Sequence, residues 1–425
     1  MRILLITGSS PTPPTSGDRQ RTDMIYRALQ RVGETDLLLF RDEAGMGEGA
    51  LERLRQGYGL VGQMAPPPRG RRGWWRVARP LAPGMVDRLA YHLGSMRQTM
   101  SPNPAMADYL ASILAAKPYD LVVSRYIWPG LWSAPWRHRP TIIDIDGYPP
   151  QVYARRLAWE RPNVAARLLL RHHLRQTSRL LPPLLRQARH LWVANPHDRA
   201  EIDHPSVSLL PNIPYQPQGQ LVSACPPGAD PQRITMVGSL NHPPNIDGLS
   251  FFLAQIWPGI RQARSGARLS IVGRGLSESL RNNWSAQAGV EVVGAVSDVR
   301  PAYADSSFSV VPLFTGGGTK IKVLESLMYG RTCVVSTYAL RGYEHVLRDA
   351  EALLVADKPD DMVGACLRLM DQPAYRDALA SRGRALVQQH YSFDAFASVV
   401  GQTVQNVVSK QPGEPRFTPP PGRRP

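Results

Sequence analysis

The sequence predicts an α/β protein built from two doubly wound domains, each a parallel sheet covered by helices, that face one another across a central cleft. Strand-like apolar runs alternate with helical patterns twice over along the 425 residues, and alternation of strand and helix is the signature of parallel sheets. A proline-rich break separates the two series. The chain is also too long for one core, whereas two domains of about 200 residues each fit the usual size range.

The first series of strands is expected at residues 2–7, 35–40, 119–124, 141–145 and 190–194, all within a domain over residues 1–210. Residues 211–231 carry Pro211, Pro214, Pro217, Pro226, Pro227 and Pro231, the composition of a linker. The second series follows at residues 233–237, 268–272, 290–293, 308–311 and 332–336, in a domain over residues 232–400. Residues 401–425 read as a helix end and then a tail rich in Pro, Gly and Arg, a composition that does not build a core. Doubly wound sheets bind ligands beyond the carboxyl ends of their strands.

Composition narrows the function. The three cysteines, Cys225, Cys333 and Cys366, are too few and too scattered for a disulfide framework or a zinc site. No metal site is expected. There is no apolar run of about 18 residues and no cleavage-like site after the first strand, so a cytoplasmic protein is expected. The formal charge of +16 calls for an anionic partner. It is concentrated in the first half, with seven arginines against Asp87 between Pro66 and Met100, where Trp74 and Trp75 also lie. Ten more stand against Glu160 and Asp198 between Gln151 and Ala200. Arginine mixed with tryptophan and leucine suits the surface of an acidic bilayer, although a solvated basic face around a buried tryptophan has the same composition. No nucleic-acid-binding signature accompanies the charge, so nucleic acid is not an expected partner.

Lysine, by contrast, is nearly absent. There are five (Lys117, Lys320, Lys322, Lys358 and Lys410), and two of them fall in the stretch Thr315-Gly-Gly-Gly-Thr-Lys-Ile-Lys-Val-Leu-Glu325. A lysine delivers one compact charge where arginine presents a fork. The glycines follow an apolar strand and open a helix, whose first N–H groups and positive dipole end favour an anion. Lys322 and Glu325 are three residues apart and share a helix face. A cation beside the loop and a carboxylate one turn deeper would suit a pyrophosphate followed by a ribose diol. A glycine-rich turn with a solvated helix is the alternative reading of the same residues.

The segment from Thr315 to Thr337, with its glycine loop, helix, Gly330 and next strand, resembles the donor-nucleotide segment of the two-domain GT-B glycosyltransferases, whose domains are Rossmann-like. The likeness is to glycosyl transferase family 4 and related group 1 domains. Met236-Val-Gly-Ser-Leu-Asn-His-Pro-Pro-Asn-Ile-Asp247 is similar to the first C-terminal loop of a subgroup that makes bacterial surface polysaccharides. The resemblance implies transfer of a sugar from a nucleoside-diphosphate sugar, a substrate rather than a cofactor, to a saccharide or lipid-linked acceptor.

Carried over position by position, Glu325 would accept the ribose hydroxyls, while Lys322 and the loop of Gly316, Gly317, Gly318 and Thr319 would hold the pyrophosphate. Gly238 would let the backbone approach the phosphates, with Ser239 and Asn245 in reach; Asn245 reads equally as a helix cap. Gly273 and Arg274 would lie against the base, unless Arg274 is simply solvated. Two places depart from the family pattern. A glutamate common eight residues before the ribose carboxylate is here Gly317, so neither retention nor inversion is assigned. An arginine and lysine common in the first loop are here Ser239 and Asn245, which shifts phosphate charge onto Lys322, assisted by Lys320.

In the first domain, Gly17 and Arg21 stand where the family's acceptor-side loop meets the donor phosphates. Asp146 occupies a strand end where relatives carry a histidine or aspartate, and as a carboxylate it could take the acceptor's proton. An aspartate before Gly147 and Pro149 also reads as a turn cap, and Asp144 is its rival as base. The expectation is therefore a cytoplasmic transferase working at the inner membrane face. Its rivals are a nucleotide-sugar epimerase and a nucleotide-binding scaffold without chemistry.

Overall fold

The computed structural model describes residues 1–41, 49–65, 100–159, 163–216, 223–226, 230–316 and 318–409. The chain divides into two units, one formed by Met1–Leu210 with the residues from Ala397 onward, the other by Pro211–Phe396. The helix Phe393–Ser409 crosses that boundary. Residues 397–400, expected with the second domain, thus group with the first.

In the first unit seven strands form one sheet, β1 (Arg2–Thr7), β2 (Glu34–Leu39), β3 (Leu60–Gln63), β4 (Leu121–Arg125), β5 (Thr141–Ile145), β6 (His190–Val193) and β7 (Val207–Leu209). Their spatial order is β3-β2-β1-β4-β5-β6-β7. Every pairing is parallel. The sheet is apolar on both faces because helices cover both: Ile3, Leu4, Leu5 and Ile6 of β1 have no exposed surface, nor do Leu37, Leu38 and Leu39 of β2. The order reverses between β1 and β4, and a doubly wound sheet opens a crevice at such a point. The loop into helix Gly17–Gln30 and the ends of β4 and β5 lie there.

The second unit repeats the plan with six strands, β8 (Arg233–Val237), β9 (Arg268–Val272), β10 (Val290–Gly294), β11 (Phe308–Val311), β12 (Cys333–Val335) and β13 (Leu354–Val355). The order is β10-β9-β8-β11-β12-β13, again all parallel. Its core joins Ile234, Met236, Leu269 and Ile271 of the sheet to Phe252, Ile256, Trp257 and Ile260 from the helical stretch beside it. Trp257 is satisfied, its indole N–H donating to the Ala288 carbonyl at 3.0 Å. Cys225, Cys333 and Cys366 are free and buried, and burial raises the thiol pKa of Cys333 and Cys366, so neither thiol ionises readily. The strand order here reverses between β8 and β11, which brings the loop after β8 beside the glycine loop after β11.

The ten strands expected from the sequence are all present, with ends displaced by at most two residues. Three others, β3, β7 and β13, were not expected. Each is a sheet edge and is short. An edge strand pairs on one side only and needs no continuous apolar run, so its pattern is weak. Trp74 and Trp75 lie outside the described residues, as does Gly317.

Candidate functional site

The site of the second unit grows from close backbone approaches. A Cβ added at Gly273, after β9, would fall 1.7 Å from the Gly238 carbonyl oxygen, and one at Gly238 would fall 2.7 Å from Lys322 Nζ. Only glycine at both positions lets the loops after β8 and β9 touch while the lysine lies across the first. One at Gly248 would fall 2.2 Å from the Pro312 carbonyl oxygen, so helix Pro243–Phe251 lies directly against the segment leaving β11.

Onto this floor helix Ile321–Met328 brings the two charges. Lys322 Nζ donates to Asn245 Oδ1 at 2.6 Å, and Asn245 Nδ2 donates to the Ser239 carbonyl at 2.7 Å. Asn245 is therefore neither solvated nor a simple cap: it ties the ammonium to the loop after β8. Ser239 turns its hydroxyl to Asn241 Oδ1 at 2.9 Å, and Arg274 is exposed. One turn along the helix, Glu325 accepts from the Tyr303 hydroxyl at 3.1 Å. Burial pushes Lys322 down to about 8 from the ordinary lysine value, with Glu325 opposing the shift. Burial pushes Glu325 up, opposed by the Tyr303 hydrogen bond and by Lys322. A cation and an anion, both short of solvent, thus stand on one helix face beside open backbone.

The glycine loop is shaped by positive φ at Gly316 (108°) and Gly318 (63°), where other residues are strained. A Cβ at Gly318 would meet nothing within 4 Å, so open space lies beside the loop there. Lys320 does not share the role of Lys322. It is buried, donates to the Gly318 carbonyl at 2.8 Å and lies 5.1 Å from the centre of the Tyr338 ring, while Tyr338 donates to the Gly316 carbonyl. Together they hold the loop in place. Thr319 accepts from Asn212 Nδ2 at 3.1 Å. His242, just before helix Pro243–Phe251, is held below the ordinary histidine value by burial and by the positive charges of Lys322 and Lys320.

Three participants were not read from the sequence. Tyr303 sits on the short helix Arg300–Ala304 and is fixed by stacking on Tyr329, ring centres 5.0 Å apart, and by Arg331, whose Nε donates to the Tyr303 carbonyl at 2.8 Å. Tyr338 and His242 are the others. Tyr303 and Tyr338 have no local signal, since their partners Glu325 and Gly316 lie 22 residues away in the chain.

In the first unit the picture is different. Gly17 begins helix Gly17–Gln30, with open space where a Cβ would be. Arg21, four residues on, is 1% exposed, and this corrects its expected place facing donor phosphates. Its guanidinium makes two bonds to Asp144, at 2.6 and 3.1 Å, and a third to the Leu210 carbonyl at 2.9 Å. The register places Arg125 beside Asp144 across β4 and β5, and Arg125 Nη1 donates to that carboxylate at 2.9 Å. Asp144 has no exposed surface and takes three charged hydrogen bonds, which removes it as a rival base. Asp146, past the end of β5, has a side chain 31% exposed and accepts from Arg125 Nη2 at 3.2 Å. Beside it Tyr126 holds φ of 73°, a conformation rare outside glycine, with Arg125 3.7 Å from the centre of its ring. Asp18 accepts from Ser9 at 2.6 Å near the same strand ends.

Comparison with known proteins bears on the fold. Residues 231–372 match the family described as Glycosyl transferases group 1. No curated protein sequence matches the chain. Among solved structures, sucrose-phosphate synthase from Thermosynechococcus elongatus aligns with a TM-score of 0.64 at 15% identity, over 96% of this chain and 99% of that one. Anabaena HepE in complex with UDP aligns at 0.62 and 11% identity, over 96% and 100%. The lipopolysaccharide outer core galactosyltransferase WaaB aligns at 0.59 and 11% identity, over 96% and 99%. The fold is that of the GT-B glycosyltransferases, and the segment from Thr315 to Thr337 lies within the residues that match the Glycosyl transferases group 1 family.

Proposed function

We propose that the chain transfers a sugar from a nucleoside-diphosphate sugar to a saccharide or lipid-linked acceptor, as a step of bacterial polysaccharide biosynthesis at the cytoplasmic side of a membrane. The arrangement of Lys322, Asn245 and Glu325 on the two helices that follow β8 and β11 at the reversal is the observation that carries this reading. Glu325 takes the ribose hydroxyls, with Tyr303 holding one of its oxygens in place. Lys322 and the amides of Gly318 and Thr319 take the pyrophosphate. As the sugar–oxygen bond to the donor phosphate breaks, the leaving diphosphate gains charge, and a fixed ammonium then binds more strongly than before. A metal is not needed to carry that charge, so chelation should leave turnover unchanged. In the first unit Asp146 takes the acceptor hydroxyl's proton.

UDP is the first nucleotide to test, because the related HepE binds it. A thermal-shift series with UDP, GDP, ADP, CDP and dTDP should show one clear stabiliser, about 2.7 kcal/mol at a hundredfold excess over Kd. Donor sugar of that base should then release nucleoside diphosphate only when acceptor is added. Release without acceptor or no release at all would point to the epimerase or the scaffold.

A further inference from the structure

Helix Val164–Leu185 of the first unit carries a surface that the transfer reaction does not use. Its inner face is settled: Leu170, His173, Thr177 and Leu181 are all buried. Its outer face bears Arg167, Arg171, Arg175 and Arg179, each exposed and each four residues from the last. At about 100° per residue the four fall within an arc of roughly 120° and along about 18 Å of axis. Exposed Val164 (77%) and Leu168 (61%) fall inside the same arc. The helix contains no acidic residue. None of the four guanidinium groups has an ion-pair or hydrogen-bond partner among the described residues. The contrast with nearby arginines is plain, since Arg186 pairs with Asp203 and Arg155 with Asp198. Four unneutralised like charges in a row repel one another, and apolar side chains set among them gain nothing from water.

We propose that this face docks the first unit on an anionic lipid bilayer. The arginines would meet headgroup phosphates, and Val164 and Leu168 would enter the boundary between headgroups and acyl chains. The mixed arc selects this occupant. A nucleic-acid backbone would match the charges but offer nothing to the exposed valine and leucine, and an apolar protein surface would strand the arginines. No helix among the described residues is long and apolar enough to cross a membrane, so the attachment is peripheral and reversible. It stands on this mixed basic and apolar arc and holds whatever the chain transfers.

The test is co-sedimentation of the full chain with vesicles of phosphatidylglycerol and phosphatidylcholine in equal parts, against phosphatidylcholine alone. The acidic vesicles should retain the protein. Retention should fall as salt shortens the Debye length from about 10 Å at 0.1 M to about 3 Å at 1 M. Replacing the four arginines by glutamine should weaken partitioning on the order of 100-fold or more, and the single change Leu168→Asp should weaken it without removing any positive charge. Melting curves check that each variant folds; should the fourfold variant fail, Leu168→Asp and the salt series still decide. Equal retention by both vesicle types, unchanged retention of Leu168→Asp, or displacement from acidic vesicles by duplex DNA at matched salt would overturn the proposal. The first would mean no lipid preference, the second a different surface, the third a nucleic-acid partner.

Discussion

The two units treat their buried charges in opposite ways. In the first, Asp144 is enclosed by Arg21 and Arg125 and has no exposed surface; in the second, Lys322 leans on a neutral asparagine and Glu325 on a neutral tyrosine. A carboxylate satisfied by two arginines is a fastener, because further binding would have to break bonds already made. A cation and an anion that lean on neutral groups keep capacity for a ligand, and burial shifts both pKa values. Buried charges thus hold the first unit together, while those of the second stay available to a ligand. What separates the two is whether the charge has been spent.

The sharpest contrast within the first unit is between Asp146 and Asp144. Asp146→Asn should lower transfer about 100-fold to 10,000-fold with nucleotide affinity and melting temperature kept, because an amide keeps the shape but cannot accept a proton. Steady-state kinetics with saturating donor measure this, and normal turnover would remove the general-base role. Asp144→Ala should instead act on the fold, leaving two buried guanidinium groups without their carboxylate, at a cost of about 3–5 kcal/mol. Denaturant unfolding reads that loss, and a change under 1 kcal/mol would show that Asp144 is no fastener.

A smaller effect tests whether the charge of Lys322 is still unspent. Its ammonium is present below about 8 and is lost as pH rises through that value, so nucleoside-diphosphate affinity should fall roughly tenfold between pH 7 and pH 9, with proton uptake on binding at the upper end. Lys322→Gln should flatten the profile. Lys320→Gln should not, because that lysine is bonded to the Gly318 carbonyl and held beside Tyr338. Identical profiles for both variants would mean that the two lysines have been told apart wrongly.

Much of the fold was legible in the residues, and the reason is physical. Strands inside a parallel sheet are buried on both faces and leave continuous apolar runs, whereas β3, β7 and β13 pair on one side and leave little trace. The pairing of Lys322 with Glu325 on one face followed from helical spacing, and the glycine loop from its composition. Asp144 and Asp146 could not be separated, because what distinguishes them is the Arg125 register across β4 and β5 and an arginine that arrives from helix Gly17–Gln30. Tyr303, 22 residues from Glu325, was invisible for the same reason. Local pattern reveals which residue types a site needs; only the assembled sheet shows which charges are already taken.

The central claim is that the second unit holds a nucleoside diphosphate through Glu325, and calorimetric titration of the full chain with the stabilising nucleotide tests it directly. Glu325→Ala should weaken binding by about 1.5 to 3 kcal/mol, roughly tenfold to a hundredfold, through loss of charge-assisted bonds to the ribose. The 2′,3′-dideoxy nucleotide, which lacks both hydroxyls, should bind wild type and variant alike. Unchanged affinity for the ordinary nucleotide in Glu325→Ala would contradict the account.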